Sequence, residues 1–318
     1  MRIRIVTPAP PRTTYGNRIT AERWARLLKT LGHRVLISEE YQSKPADLLI
    51  ALHARRSHES IARFRQLNPN RPIILALTGT DVYRDIHENS RARRSMELAD
   101  KIVVLQPHAL RELKHANRNK ALVIYQSVES PTRLKETQRS HNADFQICVI
   151  GHLRPVKDPF RAAMAARTLP ASSRIRVLQV GAALSKQMAR RASRELQINP
   201  RFSWLGEVSR ARAFRSLAQS RVCIISSQME GGSNVLSEAI VAGVPVLASR
   251  ISGNIGILGE NYPGLFRVGD TARLRYLMLR AETDREFLRD LEGHTSNLSS
   301  LFKPEVERRT WRQLIGEF

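Results

Sequence analysis

Residues 222–253 read VCIISSQMEGGSNVLSEAIVAGVPVLASRISG and contain the pattern that decides the fold. An apolar strand-like run, VCIIS, leads into the turn Gly231-Gly232-Ser233, then into a helix with an apolar face and a second strand-like run, VPVLAS. Parallel sheets are built from strand–helix–strand units of this kind. Glycines at the helix start let backbone N–H groups face outward, so the turn is a candidate anion site.

Two glutamates bracket this turn, Glu230 before it and Glu238 on the helix. A carboxylate accepts two hydrogen bonds from a vicinal diol, such as that of a ribose or a hexose. An anion site flanked by such carboxylates fits a nucleotide-sugar. The alternative is an ordinary glycine turn at a helix start with two solvated glutamates.

The same alternation of short apolar runs and amphipathic stretches continues along nearly the whole chain. It predicts an α/β fold of two doubly wound, Rossmann-like domains, at 1–140 and 141–303, with a ligand in a cleft between them. A helix over 304–318 is expected to pack back on the first domain. The polar stretch 127–144 lacks periodicity and is typical of an interdomain linker. Strands are predicted near 2–7, 34–38, 47–52, 72–77, 101–105, 121–124, 146–150, 174–180, 202–205, 222–226 and 244–248, and a helix over 19–31.

The composition agrees with two folded domains and excludes a disordered chain, because 42% of the 318 residues are hydrophobic. The 52 basic and 29 acidic residues give a formal net charge of +23. This surplus is spread over both halves, and 43 of the basic residues are arginine, whose planar fork suits phosphate. A compositional bias without functional meaning would give the same excess.

Targeting and metal-binding signals are missing from the sequence. No run approaches the roughly 18 apolar residues of a membrane-spanning helix, and the start, MRIRIVTPAP, turns polar too early for a signal peptide. Cys148 and Cys223 lie in strand-like runs and are expected to be buried reduced thiols. We therefore expect a cytoplasmic protein without a metal site.

A second candidate anion-binding element is the loop 151–157, GHLRPVK, which directly follows the strand-like run QICVI. A basic loop at the carboxyl end of a strand offers a pyrophosphate both charge and close approach to the backbone. Arg154 and Lys157 are the candidate counter-ions. An ordinary solvated loop is the alternative.

The first half offers three further loops at predicted strand ends. Residues 7–20 form a proline-rich connection with Gly16-Asn17 ahead of a helix, and it either closes over phosphates or simply joins a strand to a helix. The segments 53–57 and 77–81 supply His53, arginines and Asp81. Solvated arginines and a helix-capping aspartate are the alternatives for these two segments.

In this order, these elements resemble the GT-B glycosyltransferases of family 4 over essentially the whole chain. The segment from Glu230 to Glu238 with the following EAIVAGVPVLAS is the most specific part. The resemblance implies that Glu230 contacts the donor hexose and Glu238 the ribose. It assigns the diphosphate to Gly231, Gly232, Ser233 and Asn234.

The family's G-R-L-x-x-x-K motif corresponds to residues 151–157, where Lys157 matches but His152 replaces the arginine. Arg154 is expected to supply the missing charge, so Glu230, Arg154 and Lys157 are the expected catalytic residues. The segment WLGEV, 204–208, resembles the part that lines the uracil. The remaining predicted donor-binding residues are Gly16, Asn17, Gly151, His152, Gly206 and Glu207.

A closer resemblance is to the selenosugar synthases of selenoneine biosynthesis. It rests on the segments at 6–28 (VTPAPPRTTYGNRITAERWARLL), 51–57 (ALHARRS), 76–85 (ALTGTDVYRD), 103–107 (VVLQP), 124–127 (IYQS), 151–163 (GHLRPVKDPFRAA) and 230–254. The resemblance implies transfer of a hexose, such as N-acetylglucosamine, from a UDP-sugar to the selenium of selenophosphate. The products are a 1-selenosugar, UDP and phosphate.

The implied acceptor carries a phosphate, which requires positive charge in the first domain. The predicted acceptor-binding residues are Arg18, His53, Arg55, Arg56, Thr78, Gly79, Thr80 and Asp81. Many family 4 members carry a histidine where this chain has Thr78, and a selenium nucleophile has less need of a general base. This departure leaves the product anomer open.

We expect cleavage of the anomeric C–O bond as fixed cations and the helix start take up the charge of the leaving UDP. The expected partners are a UDP-sugar and selenophosphate, with no cofactor, no essential divalent metal, no nucleic acid and no stable membrane association. One alternative is a family 4 enzyme using a lipid or polysaccharide acceptor at a membrane surface. Another is a nucleic-acid binder, disfavoured by the 6% aromatic content and the missing motif.

Overall fold

A computed structural model describes residues 1–129 and 144–318 of the chain. The chain divides into two compact units, one of Met1–Ser127 with Lys303–Phe318 and one of Val128–Phe302. Most of the predicted linker at 127–144 lies outside the described residues.

Twelve strands and thirteen α-helices are formed by the described residues. The strands are β1 (Arg2–Val6), β2 (Arg34–Ser38), β3 (Leu48–Leu52), β4 (Ile73–Leu77), β5 (Lys101–Val104), β6 (Ala121–Val123), β7 (Phe145–Ile150), β8 (Ile175–Val180), β9 (Phe202–Trp204), β10 (Val222–Ile225), β11 (Val246–Ser249) and β12 (Leu265–Phe266). The helices are α1 (Gly16–Thr30), α2 (His58–Leu67), α3 (Ile86–Glu88), α4 (Ser90–Leu98), α5 (His115–Arg118), α6 (Arg161–Ala166), α7 (Lys186–Ile198), α8 (Arg210–Gln219), α9 (Asn234–Val241), α10 (Ser252–Leu258), α11 (Thr271–Thr283), α12 (Arg285–Leu298) and α13 (Pro304–Gly316).

The predicted strands all form within two residues of their expected bounds, which confirms the α/β prediction. Apolar runs of four to six residues mark a strand that is buried on both faces of a parallel sheet. The two-residue β12 has no such run and was not predicted. Helix α1 begins three residues earlier than expected, at Gly16, so Gly16 and Asn17 belong to the helix and not to the loop before it.

The first unit contains a six-stranded parallel sheet in the order β2-β1-β3-β4-β5-β6. Strands β3 and β4, LLIAL and IILAL, are buried at every position. Leu48, Ile50 and Leu52 face the core that α1 and α13 cover, whereas Leu49 and Ala51 face the opposite core. The sheet is therefore covered on both sides, as uninterrupted apolar strands require.

The second unit contains a six-stranded sheet in the order β12-β11-β10-β7-β8-β9, again with every pair parallel. Counted along this unit alone, the order is 3-2-1-4-5-6, the arrangement of a Rossmann fold. Cys148 and Cys223 face each other in register on β7 and β10, and both are free and buried, as predicted. Hydrogen bonding with Cys148, together with burial, raises the pKa of Cys223 and keeps it a thiol.

Helix α13 packs on the first unit, which confirms the predicted return of the C-terminal helix. The Trp311 ring lies edge-on to that of Trp24, with the centroids 4.9 Å apart. The buried carboxylate of Glu307 accepts hydrogen bonds from Trp24 Nε1 at 2.7 Å and from the Ser127 backbone N–H at 2.9 Å, and it pairs with Arg23. The first core is thus assembled from two segments that are far apart in the chain.

A helix that crosses a bilayer needs about 20 predominantly apolar residues, and the helices of the described segments differ from this requirement. None of those in 1–129 and 144–318 is long and apolar enough to cross a membrane.

Candidate functional site

The strand order of the second sheet reverses between β7 and β10, which are neighbours in the sheet. The chain leaves these two strands in opposite directions, so a crevice opens at their carboxyl ends, where doubly wound sheets bind ligands. The basic loop at 151–157 follows β7, and the turn containing Glu230 follows β10. The structure therefore brings together the two segments that the sequence marked as anion-binding.

Lys157 and Glu230 meet at this point. Lys157 Nζ donates to Glu230 Oε1, and the Ser227 hydroxyl donates to the same oxygen at 2.6 Å. Only 22% of the Lys157 side chain and 10% of the Glu230 side chain are exposed. The alternative of a solvated glutamate at position 230 is therefore wrong. A cavity of about 20 Å³, room for about one water, lies beside the pair.

The backbone of the basic loop is attached to the segment that follows β10. Ser226 Oγ donates to the Asp158 carbonyl at 2.8 Å, and the Gln228 N–H donates to the Val156 carbonyl at 2.8 Å. Asp158 has a φ of +43°, which turns the chain back after Lys157. These bonds fix the direction from which Lys157 approaches the site.

The turn after Glu230 places backbone N–H groups at the start of α9. Ser233 is the N-cap, since its side chain accepts from the Leu236 N–H at 3.4 Å, and Gly231, Gly232 and Asn234 adjoin it. The first turn of α9 contains no acidic residue. The positive end of the helix therefore remains suited to an anion.

Glu238 lies in the second turn of α9 and is not solvated either, because only 12% of its side chain is exposed. Arg210 Nη2, at the start of α8, donates to Glu238 Oε1 at 3.2 Å. The sequence analysis missed Arg210, because a contact between two helices 28 residues apart leaves no local signal.

Tight backbone contacts bring the loops after β7, β8 and β9 together. Gly181 has a φ of +140°, and a Cβ atom there would overlap the Gly151 carbonyl. The Gly181 N–H donates to the Gly206 carbonyl at 2.8 Å. Gly206, with a φ of +66°, turns the chain toward the exposed Glu207.

The candidate residues His152, Arg154 and Lys157 of the 151–157 loop differ in their surroundings. His152 Nδ1 accepts the Ala182 N–H at 3.2 Å, so the ring is tied to the loop that follows β8. Arg154 is exposed, and no carboxylate of residues 1–129 or 144–318 pairs with it. Among the described residues, Lys157 thus pairs with a carboxylate and Arg154 does not.

In the first unit, the strand order reverses between β1 and β3, and His53 directly follows β3. His53 has a φ of +78° and is 4% exposed. Its Nδ1 lies 4.0 Å from Asp81 Oδ2, and its Nε2 lies 3.8 Å from Asp85 Oδ2. A left-handed conformation is uncommon for a histidine and is typical of residues held in place by a functional site.

Burial and the neighbouring charges together determine the protonation of His53. Burial lowers the pKa of His53, against the attraction of Asp81 and Asp85, so the imidazole is predominantly neutral near pH 7. The Arg56 N–H donates to Nδ1 at 3.4 Å, which leaves the proton of the neutral ring on Nε2. The ring N–H of His53 therefore lies on the side of the Asp85 carboxylate.

Asp81 and Asp85 are tied into the framework around His53. Asp81 accepts the Ala54 N–H at 3.0 Å and the Gly79 N–H at 2.8 Å, so it joins the loops after β3 and β4. Burial alone raises the pKa of Asp85, but hydrogen bonds from Arg55 and Arg84 outweigh it and hold that pKa below its ordinary value. Asp85 was missed, although its spacing of four from Asp81 was a usable signal.

The predicted acceptor arginines differ in their partners. Arg18 Nε pairs with Glu22 at 2.7 Å, and Arg55 Nε pairs with Asp85 at 2.9 Å. Arg56 is exposed, and in the described part of the chain no carboxylate pairs with its guanidinium. Among the described residues, two of the three predicted phosphate cations therefore pair with a carboxylate, and Arg56 does not.

The other predicted residues of the first unit lie at the carboxyl edge of its sheet. Thr78, Gly79 and Thr80 follow β4, and the Thr78 hydroxyl is buried without a hydrogen-bond partner. Gly16 and Asn17 open α1, whose first turn has neither an acidic residue nor a side-chain cap. Among the residues described, no three His, Cys, Asp or Glu side chains are placed to hold a metal ion.

Comparison with known proteins extends these findings. A family model described as glycosyl transferases group 1 matches residues 131–293, just over half of the chain. Sucrose-phosphate synthase from Thermosynechococcus elongatus is similar in structure, with a TM-score of 0.80, 16% identity and 100% of both chains covered. HepE of Anabaena, crystallised with UDP-glucose, has a TM-score of 0.78 at 15% identity, again over 100% of both chains. A glycosyltransferase from Rickettsia africae has a TM-score of 0.73 at 14% identity, covering 99% of this chain and 98% of that one.

The family match covers the β7 loop, the Glu230 turn and α9. The structural likeness covers both units and shows the GT-B fold class that the sequence predicted. This chain belongs to the group 1 glycosyl transferases.

Proposed function

We propose that this group 1 glycosyl transferase moves a hexose from a UDP-sugar to the selenium of selenophosphate, with N-acetylglucosamine as the expected hexose. The products are a 1-selenosugar, UDP and phosphate. The observation that carries the donor half of the proposal is the meeting of Lys157 and Glu230 where the second sheet reverses its order.

The donor groups are assigned to the second unit. The start of α9 and the cations Arg154 and Lys157 suit a diphosphate, because backbone N–H groups and fixed positive charges stabilise phosphate oxygens. Glu230 suits a hexose hydroxyl and Glu238 a ribose diol, since each is a largely buried carboxylate that can accept hydrogen bonds. The presence of UDP-glucose in the crystals of HepE, which has the same fold, supports a UDP-sugar as donor.

The leaving group sets the main chemical demand on these residues. As the anomeric C–O bond breaks, negative charge develops on the diphosphate. Once the donor is bound, Lys157, Arg154 and the N–H groups of the Gly231–Asn234 turn face the diphosphate, so they stabilise that charge as it develops. In this assignment, Lys157 turns from the Glu230 carboxylate toward the diphosphate when the donor binds.

The acceptor groups are assigned to the first unit. Arg56 provides a charge that no described carboxylate neutralises, His53 a neutral N–H and Thr78 an unpaired hydroxyl. These groups suit the phosphoryl oxygens of a small acceptor. The choice of selenophosphate itself rests on the sequence segments that resemble selenosugar synthases.

The proposed reaction has two steps, transfer of the hexose to selenium and hydrolysis of the Se–P bond. Selenium forms a bond to the anomeric carbon, and UDP leaves with the electron pair of the C–O bond. Water then attacks phosphorus, its oxygen stays in the released phosphate, and the sugar selenolate keeps the electron pair of the Se–P bond. Selenium is a strong nucleophile, so a threonine at position 78 instead of a histidine is tolerable.

The test is to incubate the protein with UDP-N-acetylglucosamine and selenophosphate, and to follow UDP and the selenosugar by mass spectrometry. We expect equal amounts of both products, and neither when either substrate is omitted. Folded protein that releases no UDP and forms no selenosugar would exclude the proposal. UDP-glucose and thiophosphate in parallel reactions determine the preferred hexose and the selectivity for selenium.

A further inference from the structure

The two carboxylate oxygens of Glu230 have different surroundings. Lys157 Nζ and Ser227 Oγ both donate to Oε1. Across the described segments, 1–129 and 144–318, no side chain or backbone group donates to Oε2. One oxygen is thus held by the protein, and the other remains available to a substrate hydroxyl.

Ser227 is itself held by a chain of hydrogen bonds that comes from β11 and α10. Ser249 Oγ donates to the Ser227 carbonyl at 2.5 Å. Asn254 Nδ2 donates to the Ser249 carbonyl at 2.9 Å and to Ser249 Oγ at 3.2 Å. Each donor therefore points toward Glu230, in the order Asn254, Ser249, Ser227, Glu230.

All three supporting side chains are buried. Ser227 is 3% exposed, and Ser249 and Asn254 are 0% exposed. Asn254 Oδ1 is buried without a hydrogen-bond partner, and such an atom costs stability. Keeping an incompletely satisfied asparagine in the core is unfavourable for packing alone, so a role in holding Ser249 explains its presence better.

The backbone of Glu230 is fixed from the same side. A Cβ atom added to Gly253 would overlap the Glu230 carbonyl oxygen and approach the Glu230 Cβ to 3.0 Å. The start of α10 therefore packs directly on the backbone of Glu230. Both the backbone and one carboxylate oxygen of Glu230 are set by the segment from Ser249 to Asn254.

We propose that Ser227, Ser249 and Asn254 are positioning residues that hold Oε1 of Glu230, so that Oε2 is presented to the donor hexose. This inference rests on the proposed function, because it takes the substrate of Glu230 to be the hexose of a UDP-sugar. Ser227 and Lys157 share Glu230 Oε1 as acceptor, but in the described part of the chain Ser227, Ser249 and Asn254 make no hydrogen bond of their own to a group assigned to the diphosphate. Loss of the hydrogen-bond chain is therefore expected to weaken binding of the hexose and to leave binding of UDP unchanged.

The test compares the dissociation constants of UDP and UDP-N-acetylglucosamine, measured by calorimetry on the full chain. In Ser227→Ala we expect the UDP-sugar to bind about tenfold more weakly and UDP within about twofold of the wild type. Ser227→Thr, which keeps the hydroxyl, is expected to restore most of the difference. Ser220→Ala is the matched control, because it removes a buried serine hydroxyl of the same unit whose partners among the described residues are Ser216 and Gln146.

Asn254→Ala tests the residue of the hydrogen-bond chain that is farthest from Glu230. We expect binding of the UDP-sugar to weaken about fivefold and binding of UDP to stay unchanged. The inference would be overturned if Ser227→Ala weakened the binding of UDP and of the UDP-sugar equally, or if it weakened neither. If the wild type binds no UDP-sugar, the proposed function fails. Crystal structures without ligand then test the positioning by themselves, since Ser227→Ala should displace the Glu230 carboxylate by at least 1 Å, and an unmoved carboxylate would refute it.

Discussion

Each of the two units contains its own six-stranded parallel sheet, but the side chains at the carboxyl edges of the two sheets are arranged differently. In the second unit, the point of reversal holds Lys157 and Glu230, which are partly exposed and bonded through a single carboxylate oxygen. In the first unit, it holds His53 between Asp81 and Asp85, with all three side chains at most 5% exposed. The carboxylates of the first unit are occupied by backbone N–H groups and arginines.

The difference shows that a fold specifies where a site lies but not how its charges are used. In the second unit, the charges are left accessible to a ligand, and the proton donors around Glu230 orient it. In the first unit, the acidic charges stabilise a strained loop, and the groups proposed for the acceptor are a neutral imidazole N–H, a threonine hydroxyl and Arg56. Variants in each unit test this difference.

The largest effect is expected from Lys157→Ala. Removal of a cation from the site of a developing charge costs about a hundredfold in turnover, because alanine offers the leaving diphosphate neither a charge nor a hydrogen bond. UDP release with selenophosphate as acceptor measures the loss. Arg215→Ala, at an exposed position of α8, is the matched control and should keep wild-type turnover. If both variants remain active, the assignment of the reaction to the second edge is wrong.

A smaller effect is expected from Gly253→Ala, which adds one methyl group against the backbone of Glu230. Overpacking of this kind costs about 1–3 kcal/mol of stability, and the displaced carboxylate should lower turnover about tenfold. Urea denaturation and UDP release measure the two losses. Gly293→Ala in α12 meets open space and should stabilise the protein slightly, so equal behaviour of the two variants would contradict the expected contact.

A pH effect is expected from His53 in the first unit. Burial lowers the pKa of His53 in the folded protein, whereas in the unfolded chain it lies near its ordinary value of 6.5. As the pH falls through 6.5, the unfolded chain therefore takes up a proton that the folded protein resists, and the free energy of unfolding decreases. In His53→Asn, which tolerates the positive φ, that decrease between pH 7.5 and 5.5 should be smaller.

Denaturation at both pH values measures this difference, with His115→Gln at an exposed position as control. An unchanged pH dependence in His53→Asn would show that the imidazole is not held neutral by burial.

The smallest effect is expected at the opposite, amino edge of the first sheet. Arg2 donates to Asp47 through its side chain and backbone, which lowers the pKa of Asp47 from 3.8 to about 2. The pair stabilises the fold above about pH 4, and this contribution is lost as the pH falls toward 2. Asp47→Ala should cost less than about 1 kcal/mol at pH 7 and leave turnover unchanged, as a urea titration and a UDP assay can show. A loss of turnover would mean that function is not restricted to the carboxyl edges.

The sequence was sufficient to predict eleven of the twelve strands of the described residues and to mark the two loops that form the candidate site. Apolar runs marked the long buried strands, and the rule for doubly wound sheets placed the loops after β7 and β10 at one edge. The meeting of Lys157 with Glu230 follows from that topology. It depends little on the details of packing.

Contacts between distant elements could not be predicted in the same way. Arg210 with Glu238, Arg55 with Asp85, and Asn254 with Ser249 depend on how helices and loops pack and on which rotamers fit. The pair of Arg18 with Glu22 was foreseeable from its spacing of four in a helix. Arg18 and Arg55 remain predicted acceptor residues, and each already pairs with one carboxylate through Nε.

The burial of Glu307 of α13 against Trp24 and Ser127 has a consequence for synthesis on the ribosome. The last part of the first core is translated only after the 175 residues of the second unit, Val128–Phe302. At typical elongation rates this delay is roughly ten to thirty seconds. During that time the second unit can complete its core, while Trp24 and the face of the first sheet under α13 stay uncovered. The core of the first unit is therefore the last to be completed, although most of its residues are translated first.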